Sequence, residues 1–207
     1  MEYEIIKDGK FDYLEVGEGE TLMLCHGLFG ALSNFSDLIE KFRHTHKVVV
    51  PILPLFDLDI LHTSVSGLEK HVAAFIEHKN YTNIHLLGNS LGGHVALVYV
   101  LKHPERVKSL TLTGSSGLFE NAMGDSYPKR GDYEYIRAKT AETFYDPAVA
   151  TKELVDELNT LWTQEKIKVI LDLITFLTND KSASNNVKSL ENIMENNDKE
   201  TFGVLDR

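Results

Sequence analysis

The stretch Asn83-Ile84-His85-Leu86-Leu87-Gly88-Asn89-Ser90-Leu91-Gly92-Gly93-His94-Val95-Ala96-Leu97 decides the fold. A short apolar run ends in Gly88, a serine follows two residues later, and the apolar spacing then turns helical through Val95, Ala96, Leu97 and Val100. The order is strand, sharp turn, helix. Gly88-Asn89-Ser90-Leu91-Gly92 fits G-x-S-x-G, in which a serine held in a strained turn lifts its hydroxyl out of the sheet. The glycines answer a steric need: a side chain two residues either side of the serine would collide with the neighbouring strand and helix.

Upstream, Thr21-Leu22-Met23-Leu24-Cys25-His26-Gly27-Leu28-Phe29-Gly30 reads as a buried strand running into a His-Gly-x-x-Gly loop. The two elements, in this order, resemble the α/β-hydrolase superfamily, and residues 88–93 look most like its lipase, esterase and carbon–carbon bond hydrolase branches. The resemblance implies that Ser90 is a nucleophile and that the loop after His26 lies beside it. Leu28 and Leu91 would then supply the two backbone N–H groups of an oxyanion hole. By the same carry-over His26 holds its loop by hydrogen bonds, with Gly27, Gly88 and Gly92 in supporting places. The implied substrate is a small-molecule ester or acyl compound, with no cofactor. Serine where some relatives carry aspartate argues against haloalkane dehalogenase and epoxide hydrolase chemistry.

At 207 residues and 43% apolar content, the chain has room for one substantial core and an appended lid, not two full domains. A net charge of −10 leaves no basic face for phosphate backbones, so nucleic acid is not an expected partner. The single cysteine, Cys25, cannot close an intramolecular disulfide and reads as a small buried hydrophobe. Met1-Glu2-Tyr3-Glu4-Ile5 lacks the pattern of a secretory signal, and apolar patches such as 171–177 fall short of the ~20 residues of a membrane span. A cytoplasmic protein with no membrane partner is expected.

Residues 2–8 and 11–16 flank Asp8-Gly9-Lys10, a hairpin signal. Asn34 can cap a helix carrying Phe35, Leu38, Ile39 and Phe42. A continuous apolar strand runs from His46 to Pro54, and Ser66-Gly67-Leu68-Glu69 has the form of a capping box opening the next helix. Val107 to Thr113 is a further strand. This alternation predicts an α/β fold: a mostly parallel sheet with helices on both faces and an amino-terminal hairpin, over residues 1–117. Gly27, Ser90 and Gly114 fall at carboxyl ends of strands, where such sheets bind ligands.

Residues 118–207 read as a helical lid and a carboxyl-terminal segment. Tyr133 to Phe144 is helical in pattern. Asp146-Pro147 leads into Leu154, Leu158, Leu161 and Trp162, Thr163 can cap a third helix to Leu177, and a weaker one covers Asn186 to Asn197. Phe119, Tyr133, Tyr135, Phe144 and Trp162 either line an acyl pocket or pack the lid on the body.

The family's triad runs Ser, then Asp or Glu, then His. Here all nine histidines lie between 26 and 103, so none follows His103. His94 stands one helical turn beyond Ser90, where packing is expected rather than contact with the hydroxyl. His44 and His46 form an H-x-H pair with no Cys, Asp or Glu beside them, which reads as a solvated loop, so no metal is expected. His62, His71, His78, His85 and His103 read as surface or helix-end residues. Thr201 to Leu205 is a candidate short strand that would put Asp206 where the family's acid belongs, while Ser115 and Ser116 hold the alternative acid position and cannot act as carboxylates.

With the fold's final strands otherwise missing, the edge of strand 107–113 needs a cover. Carboxyl-terminal residues of the same chain, a second subunit or further sequence could supply it, and a homodimer through that edge or the lid is expected. A serine without a base is a poor nucleophile. The reading is therefore a serine hydrolase with impaired turnover, set against a catalytically silent ligand-binding or scaffold protein or an incomplete form of an enzyme.

Overall fold

The computed structural model describes residues 3–27, 35–55, 64–117, 132–143, 146–162 and 202–205. Among the described residues seven strands form one sheet: β1 (Ile6–Asp8), β2 (Phe11–Val16), β3 (Glu20–Cys25), β4 (His46–Pro51), β5 (Ile84–Asn89), β6 (Val107–Thr113) and β7 (Phe202–Leu205). Their order across it is β1-β2-β4-β3-β5-β6-β7. The first two strands are antiparallel to each other and to β4, and every later pairing is parallel. Asp8 pairs with Phe11 around Gly9, whose φ of +64 suits a tight hairpin turn.

The strand order reverses between β3 and β5, the neighbours that α1 (Ser36–Phe42) and α2 (Val65–His78) carry the chain away from and back to. In an open parallel sheet that reversal leaves a crevice beyond the carboxyl ends of the two strands. Residues 27 and 90 stand there.

The pleat divides the apolar runs between two cores. Met23, Cys25, Val49, Leu86, Leu110 and Leu112 pack with α2 and α3 (Leu91–Lys102). Leu14, Leu24, Val48 and Val50 face the other way onto Phe35 and Ile39 of the α1 side. Continuous runs such as Val48-Val49-Val50 thus have apolar neighbours on both faces, as a covered parallel sheet requires. α3 is buried nearly all round, including Val95, Ala96, Leu97, Tyr99 and Val100. Full burial of each such aliphatic side chain contributes about 1.5–3 kcal/mol.

Several local expectations change. Ser64, not Ser66, caps α2, its Oγ accepting from Gly67 N–H at 3.0 Å. Glu69 is therefore not drawn back into a capping box; it is buried and pairs with Lys102 of α3. α1 has Phe35 at its cap position without a side-chain bond, and Asn34 lies outside the described residues. Asp146 caps only a short 3-10 turn, Pro147–Val149, and α5 (Lys152–Trp162) starts afresh, with Thr151 Oγ1 accepting from Leu154 N–H at 3.3 Å.

α4 (Tyr133–Thr143) meets α5 through a hydrogen bond from the Tyr133 hydroxyl to Asp156 at 2.7 Å, with Ile136 and Val155 buried. The helices expected beyond 163, and the side chains of Phe119, Phe144 and Trp162, lie outside the described residues. Of the covers considered for β6, the chain's own residues take the edge: β7 pairs with it in parallel from Leu110–Phe202 to Thr113–Leu205. Among the described residues no helix is long and apolar enough to cross a membrane.

Candidate active site

β5 ends at Asn89 and α3 begins at Leu91, so Ser90 makes the whole turn, with φ 54 and ψ −121. Positive φ is unusual outside glycine and is tolerated best by asparagine. The other two such residues among those described, Asn80 and Asn83, are of that tolerant type. Ser90 is held there by its surroundings. Its N–H donates to the Thr113 carbonyl at 3.0 Å, and its carbonyl accepts from Gly93 and His94 N–H at 3.0 and 3.2 Å. Asn89 Nδ2 donates to the same Thr113 carbonyl at 3.1 Å and to Thr113 Oγ1 at 3.0 Å, tying the turn to the end of β6. A strained residue persists only where neighbours over-determine it.

The glycines sit where the sequence placed them. A Cβ on Gly88 would stand 2.5 Å from the Gly92 carbonyl oxygen and the Gly93 Cα, and one on Gly92 would meet the carbonyl oxygens of Cys25 and His26. At Gly27 it would lie 3.1 Å from Ser90 Cβ, so the end of the β3 segment is directly beside the serine. Leu91 is the first residue of α3, and its N–H has no acceptor within the helix. Ser90 is exposed at that positive helix end. Leu28 and Asp206 lie outside the described residues.

His26 is buried with both ring nitrogens engaged. Nε2 accepts from Leu53 N–H at 2.9 Å, which fixes the proton on Nδ1, and Nδ1 donates to the Gly27 carbonyl at 2.8 Å. The ring thus joins the end of β3 to the segment after β4. His94 is also buried; its Nδ1 is 3.4 Å from Ser116 Oγ, and Gly117 packs against the ring. Ser115 Oγ donates to the Ser116 carbonyl at 2.8 Å. Among the described residues no group stands within hydrogen-bond reach of Ser90 Oγ. Cys25 is fully buried, and burial pushes its thiol up to about 12.

Burial holds His26, His94 and His71 below the ordinary histidine range. A group depressed in this way stays neutral when folded while its unfolded counterpart takes a proton near pH 6.5, so its contribution is full above that pH and declines as pH falls. Urea unfolding should therefore show stability dropping between pH 7 and pH 5. The carboxylates held low by partners, such as Glu15 beside Tyr81 and Lys79, act only below their own ordinary range near 4.5. A flat profile from pH 7 to 5 would contradict the neutral buried rings.

Two features escaped the sequence reading. The Asn89–Thr113 clamp could have been suspected from an amide side chain at a strand end just before the serine. The cluster of Glu20, His46 and His85 depends on strand register, and no local signal announces it.

The profile of the family described as alpha/beta hydrolase fold matches residues 20–158. The chain is similar to 2-hydroxy-6-oxo-6-phenylhexa-2,4-dienoate hydrolase of Comamonas testosteroni, 27% identical over an alignment of 169 residues that covers 72% of this chain and 59% of that protein. It is also similar to Lipase 1 of Psychrobacter immobilis, 30% identical over an alignment of 123 residues that covers 56% of this chain and 39% of that one. Among solved structures, MGS-MChE2, an alpha/beta hydrolase enzyme from the metagenome of Mar Chica lagoon sediments, superposes with a TM-score of 0.65 at 35% identity, covering 84% of this chain and 65% of that chain. The match thus spans 39% to 59% of the length of these two curated relatives.

Proposed function

The chain belongs to the alpha/beta hydrolase family, and from that premise we propose that Ser90 is its nucleophile, acting on a carboxylic ester or an activated carbon–carbon bond next to a carbonyl. The observation that carries this is the clamped turn: an exposed hydroxyl at φ 54, with the free end of α3 on one side and Gly27 on the other. The Ser90 oxygen adds to the carbonyl carbon, and the resulting oxyanion accepts from the N–H groups of Leu91 and Leu28. Collapse breaks the bond to the alcohol or carbon leaving group, which takes up the proton given up by the serine, and leaves an acyl-enzyme that water cleaves to the acid and free Ser90. The hydrolases among the relatives, named for a lipase and a dienoate hydrolase, support both bond types.

The proton on Ser90 needs an acceptor; both nitrogens of His26 are engaged elsewhere, and buried His94 has its Nδ1 3.4 Å from Ser116 Oγ. An oxyanion hole and binding alone leave about 10³- to 10⁴-fold acceleration over water in stripped serine proteases, so turnover by these residues alone is slow. The engagement of His26, with no group in reach of Ser90 Oγ among the described residues, favours a second reading, a ligand-binding protein that is catalytically silent. A third source of a base is an imidazole and carboxylate from outside the described residues or from another chain.

Intact-mass analysis after treatment with a fluorophosphonate probe separates these readings. A single adduct in the native protein, absent in Ser90→Ala, is expected. No adduct after prolonged incubation, with p-nitrophenyl acetate hydrolysis unchanged by the same substitution, would leave only the binding reading. Specific activity that climbs with protein concentration would assign the base to a second chain.

A further inference from the structure

We propose that Glu20, His46 and His85 form a binding site for a divalent transition-series cation, zinc above all, at the end of the sheet opposite Ser90. Glu20 opens β3, His46 opens β4 and His85 is the second residue of β5. Glu20 pairs directly with His46, and Leu22, two residues on, pairs with His85. Partners in parallel strands and residues two apart share a face, so all three side chains leave the sheet on one side. One donor atom from each lies within 4.8 Å of the others. Of the H-x-H pair expected in a solvated loop, His46 instead opens β4, beside a carboxylate and an imidazole from neighbouring strands, and His44 takes no part.

The rings are prepared for coordination. Thr45 Oγ1 donates to the Phe42 carbonyl at 3.3 Å and stands 2.8 Å from His46 Nδ1. When the hydroxyl proton goes to that carbonyl, the oxygen accepts from Nδ1–H, and the Nε2 lone pair is the one open to a cation. His85 Nδ1 lies 2.7 Å from Ser109 Oγ, and Nε2 lies 3.1 Å from Glu20 Oε2. A hydroxyl can donate or accept, so Ser109 lets the neutral ring move its proton to Nδ1 and turn a bare Nε2 toward a cation. Metal-bound histidine donates its far N–H to an acceptor, usually a carboxylate, backbone carbonyl or water, and here the Thr45 and Ser109 hydroxyl oxygens stand in that place.

Two imidazoles and a carboxylate suit zinc, with water in the fourth place. Tetrahedral ligands 2.0–2.1 Å from the metal are about 3.3 Å apart, so the donors must close up by a small rotation. Glu20 is exposed, so its side chain has room to turn. A cavity of about 200 Å³, lined in part by Leu22, Phe42, His46, His85 and Ser109, opens alongside. Lys108 opposes the site: its ammonium is 2.6 Å from Glu20 Oε1. It bonds the carboxylate oxygen that His85 does not use, leaving Oε2 for the metal.

Chelator-stripped protein titrated with zinc chloride at pH 7.5 by calorimetry is expected to bind one ion per chain. Cobalt(II) should give the intense visible bands of a tetrahedral site. His46→Ala, His85→Ala and Glu20→Gln should each weaken zinc by at least about 10- to 100-fold, the range for second-shell losses, and Ser109→Ala by about 10-fold. Lys108→Met should tighten binding, while His44→Ala and His78→Ala leave it unchanged. Circular dichroism checks the fold of each variant, and the wild-type cobalt spectrum and Lys108→Met hold the test if one does not fold. No saturable binding, or binding indifferent to His46→Ala and His85→Ala, would overturn the proposal and leave the cluster an ion pair joining strand ends.

Discussion

Gly92→Ala is expected to destabilise the protein by about 3 kcal/mol or more, at the upper end of what overpacking produces. The added Cβ would fall under 3.0 Å from two backbone oxygens, those of Cys25 and His26. Neither can give way as a flexible side chain would. β3 is hydrogen-bonded on both sides, to β4 and β5, and His26 is tied further to Leu53 and Gly27. The helix must therefore lift off the sheet, and it carries Val95, Ala96, Leu97, Tyr99 and Val100 out of the core with it. Even a gap of 0.5–1 Å forfeits about a quarter to a half of the dispersion energy between facing atoms. Set against a total stability of about 5–15 kcal/mol, that loss is large.

Gly9→Ala supplies the comparison. Gly9 has the positive φ that Gly92 lacks, and a Cβ there would meet nothing within 4 Å. Its expected loss is about 1–2 kcal/mol, the penalty of left-handed backbone alone. Urea unfolding of the two variants beside the native protein measures the difference. A Gly92→Ala protein no less stable than Gly9→Ala would show that α3 does not press on β3 as closely as the coordinates place it.

The same contrast explains which parts of the molecule were legible in the sequence. Strand, turn and helix at 84–102 could be read because the steric demand falls on consecutive residues: Gly88, Ser90 and Gly92 each occupy a fixed place relative to the others. The hairpin at Asp8-Gly9 and the strand Val107–Thr113 were readable for the same local reason. The start of α2 was misplaced because Ser66 and Glu69 have capping-box spacing, yet the burial of Glu69 against Lys102 of another helix decided the matter. His85 read as a surface residue but lies half-buried within β5, and its neighbours Glu20, His46 and Ser109 come from three other strands. Register across a sheet is not written in any one segment, since a slip of one residue would send each of these side chains to the other face. The place of a base near Ser90 is a question of the same kind.

Ser90→Gly is expected to abolish the fluorophosphonate adduct and at the same time to make the protein more stable than Ser90→Ala, by about 1 kcal/mol. At φ 54 and ψ −121 the serine occupies backbone space that glycine enters freely and other residues enter at about 1–3 kcal/mol. Against that gain stands the greater freedom glycine restores to the unfolded chain, about 0.5–1 kcal/mol relative to alanine. Both variants lack the hydroxyl, so the chemistry is lost equally and the difference between them reports the backbone alone. Urea unfolding at pH 7.5 with equal m-values would measure it. If Ser90→Gly proved the less stable of the two, the turn would not be strained, and the hydrogen bonds from Ser90 and Asn89 to Thr113 would be ordinary loop contacts. If it proves the more stable, the fold spends part of its stability holding one side-chain oxygen clear of the sheet. Packing alone gives no reason for that expense, because glycine would serve the strand-to-helix connection better.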